Sequence, residues 1–112
     1  MIRSDGYYLS PANPYEDGIA NYQEKGFTHD AYWFNEKDSY IGAFKKSPLD
    51  HVEFQKNEFN PSFPNKYVID GNRLIIHIHT GEEWEFTDSL EIISGELLKR
   101  GEKLLKFKSW SN

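Results

Sequence analysis

Between Arg73 and Thr80 the side chains alternate with a period of two, and this constrains the fold more than any other feature of the chain. Successive side chains of a strand point to opposite faces, so Leu74, Ile76 and Ile78 share one face while Ile75, His77 and His79 share the other. A slip of one residue would exchange the two sets, which ties register to burial. The segment is bounded by Asp70-Gly71-Asn72, a tight-turn signal, and Tyr67-Val68-Ile69 on the far side of that turn completes a hairpin. After Gly81-Glu82 the alternation resumes in Trp84-Glu85-Phe86, and Leu90 and Ile92 keep its parity.

The same reading extends in both directions. Tyr7-Tyr8-Leu9 is a first strand, stopped by Ser10-Pro11. Ala31-Tyr32-Trp33-Phe34 and Tyr40-Ile41-Gly42-Ala43-Phe44 form a hairpin around the polar turn Glu36-Lys37-Asp38-Ser39. Ser94-Gly95 suggests a bulge, and Leu97-Leu98 leads through Lys99-Arg100-Gly101-Glu102 into a last strand from Leu104 to Lys108. Two segments break the pattern. Pro11 to Thr28 has two prolines, two glycines and no sustained period, which predicts a long loop folded back on the body through Tyr15, Ile19, Tyr22 and Phe27. Ser47-Pro48, with Asp50 in the first turn and Leu49, Val52 and Phe59 near one face, predicts a helix over about 48–59, closed by Asn60-Pro61. The expected fold class is therefore mainly β: a small antiparallel meander barrel of about eight strands with one short helix.

A chain of 112 residues holds one hydrophobic core, so residues 1–112 are read as one domain. With no cysteine, disulfides, thiolate metal sites and a cysteine nucleophile are excluded. Residues 1–98 hold 8 Lys and Arg against 17 Asp and Glu, whereas residues 99–112 hold 5 against 1. An acidic body with a short basic end argues against nucleic acid as a partner. The terminal lysines read as the wet face of an edge strand, where they discourage pairing between molecules. No stretch reaches the length of a membrane span, and no apolar run follows the amino terminus, so the expected protein is soluble. The compartment stays open between the cytoplasm and a trimmed exported domain.

In the succession of its motifs the chain resembles a group of small bacterial lipocalin-like domains of uncharacterised function. The matching residues are Asp5-Gly6-Tyr7-Tyr8, the hairpin Tyr32-Trp33-Phe34 to Tyr40-Ile41-Gly42, and Pro48 to Phe59. They continue through Tyr67 to Ile75, Ser94-Gly95-Glu96-Leu97 and Leu104-Leu105-Lys106-Phe107. The chain departs from the group in Asp38-Ser39, where similar domains have Asp-Gly at the first hairpin turn, and in the length of 11–28. The resemblance implies a cup for something apolar and no shared catalytic residues.

Residue chemistry favours binding over catalysis. His77 and His79 share a strand face and are weak candidates for a metal pair, with Glu83 or Glu85 across the turn; the competing assignment is a polar outer face. His29-Asp30 has the look of an oriented base, yet no serine or threonine sits in a nucleophile elbow. His51 and Glu53 read as solvent-facing helix residues. The glycines punctuate turns and none opens a phosphate-cradling helix. No catalytic residue, metal or cofactor is expected. What remains is a binding domain whose ligand is small and apolar or aromatic, held at the barrel mouth by Tyr15, Tyr22, Phe27, Trp33 and Trp84. The alternative is a protein-interaction or immunity-type inhibitor domain that meets its partner with an acidic, aromatic-rimmed surface.

Overall fold

The computed structural model describes residues 2–19, 22–35, 39–59, 65–79 and 85–110, with the backbone alone described at 16–19, 22–24, 78–79 and 85–86. Its strands follow one another as β1 (Gly6–Leu9), β2 (Asn13–Ile19), β3 (Tyr22–Phe34), β4 (Ser39–Ser47), β5 (Asn65–Asp70), β6 (Arg73–His79), β7 (Glu85–Ser94), β8 (Leu97–Arg100) and β9 (Lys103–Ser109). All pairings are antiparallel, and from β3 to β9 each strand pairs with the next. β1 then pairs with both β9 and β3, which closes eight strands into a barrel and leaves β2 outside the ring on the flank of β3. Short polar turns dictate this meander. Gly71 and Gly101 sit at φ 63° and 61°, a left-handed backbone that suits glycine, and they begin the two-residue turns of the β5–β6 and β8–β9 hairpins.

Alternation fixes what lies inside. Tyr8, Phe34, Tyr40, Leu74, Ile76, Leu90, Leu98 and Leu105 form one buried cluster, and Tyr32, Tyr67, Ile92 and Phe107 pack against it. Leu74 and Ile76 are buried and His77 is half-buried, as strand parity requires; the side chains of Ile78 and His79 lie outside the described residues. Rings meet edge to face along the interior, Tyr8 with Phe34 and Phe107, and Phe34 with Tyr67. Lys66, Arg73, Glu91, Lys106 and Lys108 are exposed on the other face. An apolar interior with a charged exterior is the polarity of a barrel in water, the reverse of one in lipid. Among the described residues no helix is long and apolar enough to cross a membrane.

One end of the barrel is sealed. The Tyr8 hydroxyl donates to the Gly95 carbonyl at 2.6 Å and accepts the Arg3 amide at 2.9 Å. The Arg3 guanidinium covers the Phe107 ring at 4.2 Å and pairs with Asp5 and Glu96. The β7 register shifts between Ile92 and Ser94, slightly earlier than the Ser94-Gly95 bulge expected from sequence, and Gly95-Glu96 forms the turn.

The expected helix over 48–59 does not form. The segment is an extended strap across the outer face of β1, β3 and β4, with a single 3-10 turn at Lys56–Glu58. It buries Phe54 and Phe59 against Tyr7 and Ala31, with Trp33 and Trp110 closing a second cluster. Tertiary partners take the backbone groups that a helix would use. The Phe54 amide donates to the Tyr7 hydroxyl at 3.0 Å, and the Leu49 carbonyl accepts from His29 Nε2 at 3.0 Å. Ser47 does act locally as a cap, its Oγ accepting the Leu49 amide, but Leu49 is left 54% exposed. Two buried rings five residues apart, with an exposed leucine before them, fit an extended chain and defeat the helical stripe.

The expected loop over 11–28 is likewise ordered as strand. β2 pairs with the first half of β3 from Asn13↔Thr28 to Ile19↔Tyr22. Only from Phe27 onward does β3 pair with β4, so this hairpin is an arm extending past the barrel. It explains a radius of gyration of 15.2 Å, above the roughly 13 Å of a compact chain of this length. Pro14 is tolerated because β2 has a strand partner on one side only.

Candidate functional site

Among the described residues a cup opens away from the Arg3 seal. It measures about 670 Å³ and is lined by Ser10, Asp30, Tyr32, Asp88, Arg100, Gly101, Glu102, Lys103 and Leu105. Each wall residue has a strand reason for being there. Tyr32 lies opposite Tyr8 in register, and Asp30 follows one inward step further along β3. Asp88 lies opposite Ile76, and Arg100 follows Leu98 with the same parity. Three charged residues thus share the inward phase of the strands with the apolar residues Tyr32, Leu90 and Leu98 two positions away.

Arg100 organises this wall. Its Nη1 donates to the Tyr32 hydroxyl at 2.6 Å and its Nη2 forms an ion pair with Asp88. Burial opposes its charge, but Tyr32 and Asp88 more than restore it and hold the guanidinium pKa above its ordinary value. Burial pushes the Tyr32 phenol up as well, with Arg100 opposing. The Tyr40 phenol is pushed up to about 12, chiefly by burial and then by Tyr32. Both phenols therefore stay protonated at neutral pH, and the Tyr32 hydroxyl is a hydrogen-bonding part of the cup wall.

Beside the cup lies a second hollow of about 200 Å³, lined by Asp30, Ala31, Tyr32, Gly42, Ala43 and Phe44. Gly42 stands opposite Ala31's neighbour Tyr32, and Phe44 stands opposite Asp30. Among the described residues β4 pairs with β5 at Ser39 and Tyr40, and Phe44, further along β4, is 58% exposed. A Cβ added at Gly42 would meet, among the described residues, only the Ala31 carbonyl oxygen, at 3.9 Å. Asp30 and Tyr32 line both hollows.

The residues expected at the mouth are separated by the structure. Tyr15 and Phe27 do come together, in a groove of about 480 Å³ at the base of the arm with Pro14, Lys25, Gly26 and Pro48. The Tyr15 ring packs over Gly26, its cross-strand partner, and the Lys46 ammonium stands 4.9 Å from the ring centre. Trp33 is not at the mouth. It faces outward under the strap, its Nε1 donating to the Ser4 carbonyl at 3.1 Å and its ring meeting Trp110 edge to face. Tyr22 is described only as the last paired residue of the arm, and Trp84 lies outside the described residues.

The histidine candidates resolve in the same way. His29 is buried beneath Leu49 on the outer side of β3 while Asp30 faces the cup, so the two form no dyad. His51 pairs with Asp50 at the surface. Among the described residues no three histidine or acidic side chains converge on a metal position; the side chains of His79, Glu83 and Glu85 lie outside them. Arg100 and Asp88 are cup residues that sequence reasoning passed over, and Asp30, read there only as the partner of His29, joins them. Their signal was parity, since Arg100 is in phase with Leu98, Asp88 with Leu90, and Asp30 with Tyr32.

Fold and site together define a closed eight-stranded antiparallel barrel with a buried apolar cluster and a polar-walled cup among the described residues. No protein-family model, no curated protein and no solved structure matches the chain.

Proposed function

We propose that the protein is a non-enzymatic binding domain for a small ligand with an apolar or aromatic body, held in the cup at the open end of the barrel. One observation carries this: among the described residues a buried apolar cluster occupies the barrel interior, and beyond it about 670 Å³ stands open beside a restrained Arg100. This volume falls in the range of ligand sites, and such sites combine apolar walls with a few fixed polar groups. Leu105, Tyr32 and Phe44 supply the apolar surface. An anchored ligand at the mouth of a small barrel is also what a lipocalin-like domain would hold.

The test is calorimetric titration of the full chain with 3-ethylindole and decanol, repeated on Gly42→Leu. The substitution places a side chain in the smaller hollow, where among the described residues an added Cβ meets the Ala31 carbonyl oxygen at an ordinary 3.9 Å, and circular dichroism checks that the fold is kept. Wild-type binding that weakens about tenfold or more in Gly42→Leu supports the proposal. Binding unaffected by the substitution, or no binding of either compound, counts against it. A second reading, a protein-interaction or immunity-type inhibitor domain, draws on the β2–β3 arm, which extends past the barrel with β2 outside the ring. Absence of small-ligand binding together with a stable complex that needs the arm would favour that reading.

A further inference from the structure

The charge arrangement in the cup selects among ligands. Asp30, Asp88 and Glu102 face Arg100 and Lys103 across it. Asp88 is committed to Arg100, and Arg100 also donates to Tyr32. An anionic ligand would have to compete with Asp88 for the guanidinium and approach two further carboxylates. Asp30 is in the opposite position. It is half-buried, it lines both hollows, and among the described residues its carboxylate has no hydrogen bond or ion pair. Its backbone carbonyl is occupied by the Ser10 amide at 2.9 Å, which fixes the strand that carries it. A carboxylate in such a setting gains most from a cation brought in with the ligand.

Aromatic surface flanks the same position. Phe44 is the cross-strand partner of Asp30, and Tyr32 is the next inward residue on the same strand. A carboxylate with aromatic residues beside it on the same wall supplies the components of ammonium recognition, with Phe44 the ring left to an incoming cation because the Arg100 guanidinium already stands 5.9 Å from the centre of the Tyr32 ring. Gly42, between Tyr40 and Phe44 on the inward side of β4, leaves the adjoining 200 Å³ free for the body attached to that ammonium.

Building on the proposal that the cup is a ligand site, we propose that its ligand is an organic cation: a primary ammonium joined to an apolar or aromatic body. The ammonium sits on Asp30 between Tyr32 and Phe44, and the body lies in the hollow beside Gly42. Arg100 serves the site by neutralising Asp88 and holding Tyr32 in place.

The experiment uses three probes of matched shape, tryptamine, 3-ethylindole and indole-3-propionate, titrated into the full chain at low salt. Tryptamine is expected to bind about tenfold or more tighter than 3-ethylindole, with indole-3-propionate the weakest. Asp30→Asn brings tryptamine down to the affinity that 3-ethylindole shows for the same variant. Phe44→Leu reduces the tryptamine preference severalfold while keeping the apolar surface, and it stands in should Asp30→Asn alter the fold. Equal binding of tryptamine and 3-ethylindole, tighter binding of the acid, or a preference that survives both substitutions overturns the cation assignment alone. Failure of all three probes to bind overturns the ligand site itself.

Discussion

Replacing Tyr7 with phenylalanine removes one oxygen atom and leaves the ring, and the structure assigns that oxygen a specific task. The Tyr7 hydroxyl accepts the Phe54 amide at 3.0 Å in a buried setting, and the Tyr7 ring meets Phe54, Phe59 and Trp110 at centroid distances of 5.7, 5.8 and 5.4 Å. Tyr7→Phe keeps these ring contacts and strands the Phe54 amide where water does not reach. The cost is that of one unsatisfied buried donor, about 1–3 kcal/mol, or roughly 4–8 °C of melting temperature per kcal/mol for a domain near this size. Phe54→Ala, which empties a site 1% exposed, should cost about 3–5 kcal/mol by cavity formation. Urea denaturation gives both values, and amide exchange at Phe54 should accelerate in Tyr7→Phe. Were 48–59 a helix, the Phe54 amide would bond to the Asp50 carbonyl and the Tyr7 oxygen would be idle. A stability change under about 0.3 kcal/mol, a negligible value by this scale, with Phe54 protection intact, would refute the strap geometry.

Further outcomes follow from the same contacts. Ile76→Ala, at a site 1% exposed, should lower stability by about 2–5 kcal/mol in denaturant titrations. Gly6→Ala should disrupt the β1–β9 pairing, because an added Cβ meets the Lys108 carbonyl oxygen and the Phe107 ring, whereas Gly42→Ala, whose Cβ would make an ordinary contact with the Ala31 carbonyl oxygen at 3.9 Å, should stay within about 0.5 kcal/mol of wild type; paired melting curves decide this. Tyr40 provides a pH test. Its phenol is held up to about 12 in the folded protein against about 10 unfolded, so the folded state keeps the proton longer. Its stabilising contribution is complete below about pH 10 and lost as pH rises towards about 12, on the order of 2 kcal/mol at most. Stability measured from pH 9 upward should fall, and Tyr40→Phe should flatten the fall.

The parts of the fold legible in the sequence were those where local pattern and tertiary environment agree. The alternation from Arg73 onward placed Leu74 and Ile76 inside, and Gly71 and Gly101 stand at the turns that their neighbours announced. The strap illustrates conflict. Ser47-Pro48 and Asp50 are sound helix-start signals, yet the outer groove of β1 and β3 offers Phe54 and Phe59 a burial that a helix could not give both. The arm was hidden because Pro14 and Gly26 read as loop residues, and only their edge location and the Tyr15 ring over Gly26 make them compatible with strands. Arg100 was read as part of a turn. Its inward phase follows from Leu98, but its partners Asp88 and Tyr32 come from strands remote in sequence, and only the closed barrel brings them together.

The most direct test of the cup as the binding site is a two-dimensional amide NMR titration of the full chain with tryptamine. The account predicts shift changes concentrated at Asp30, Tyr32, Gly42, Phe44, Arg100 and Lys103, with the strap residues Phe54 and Phe59 undisturbed. Changes confined to the groove of Tyr15 and Phe27, or spread evenly over the surface, would contradict it.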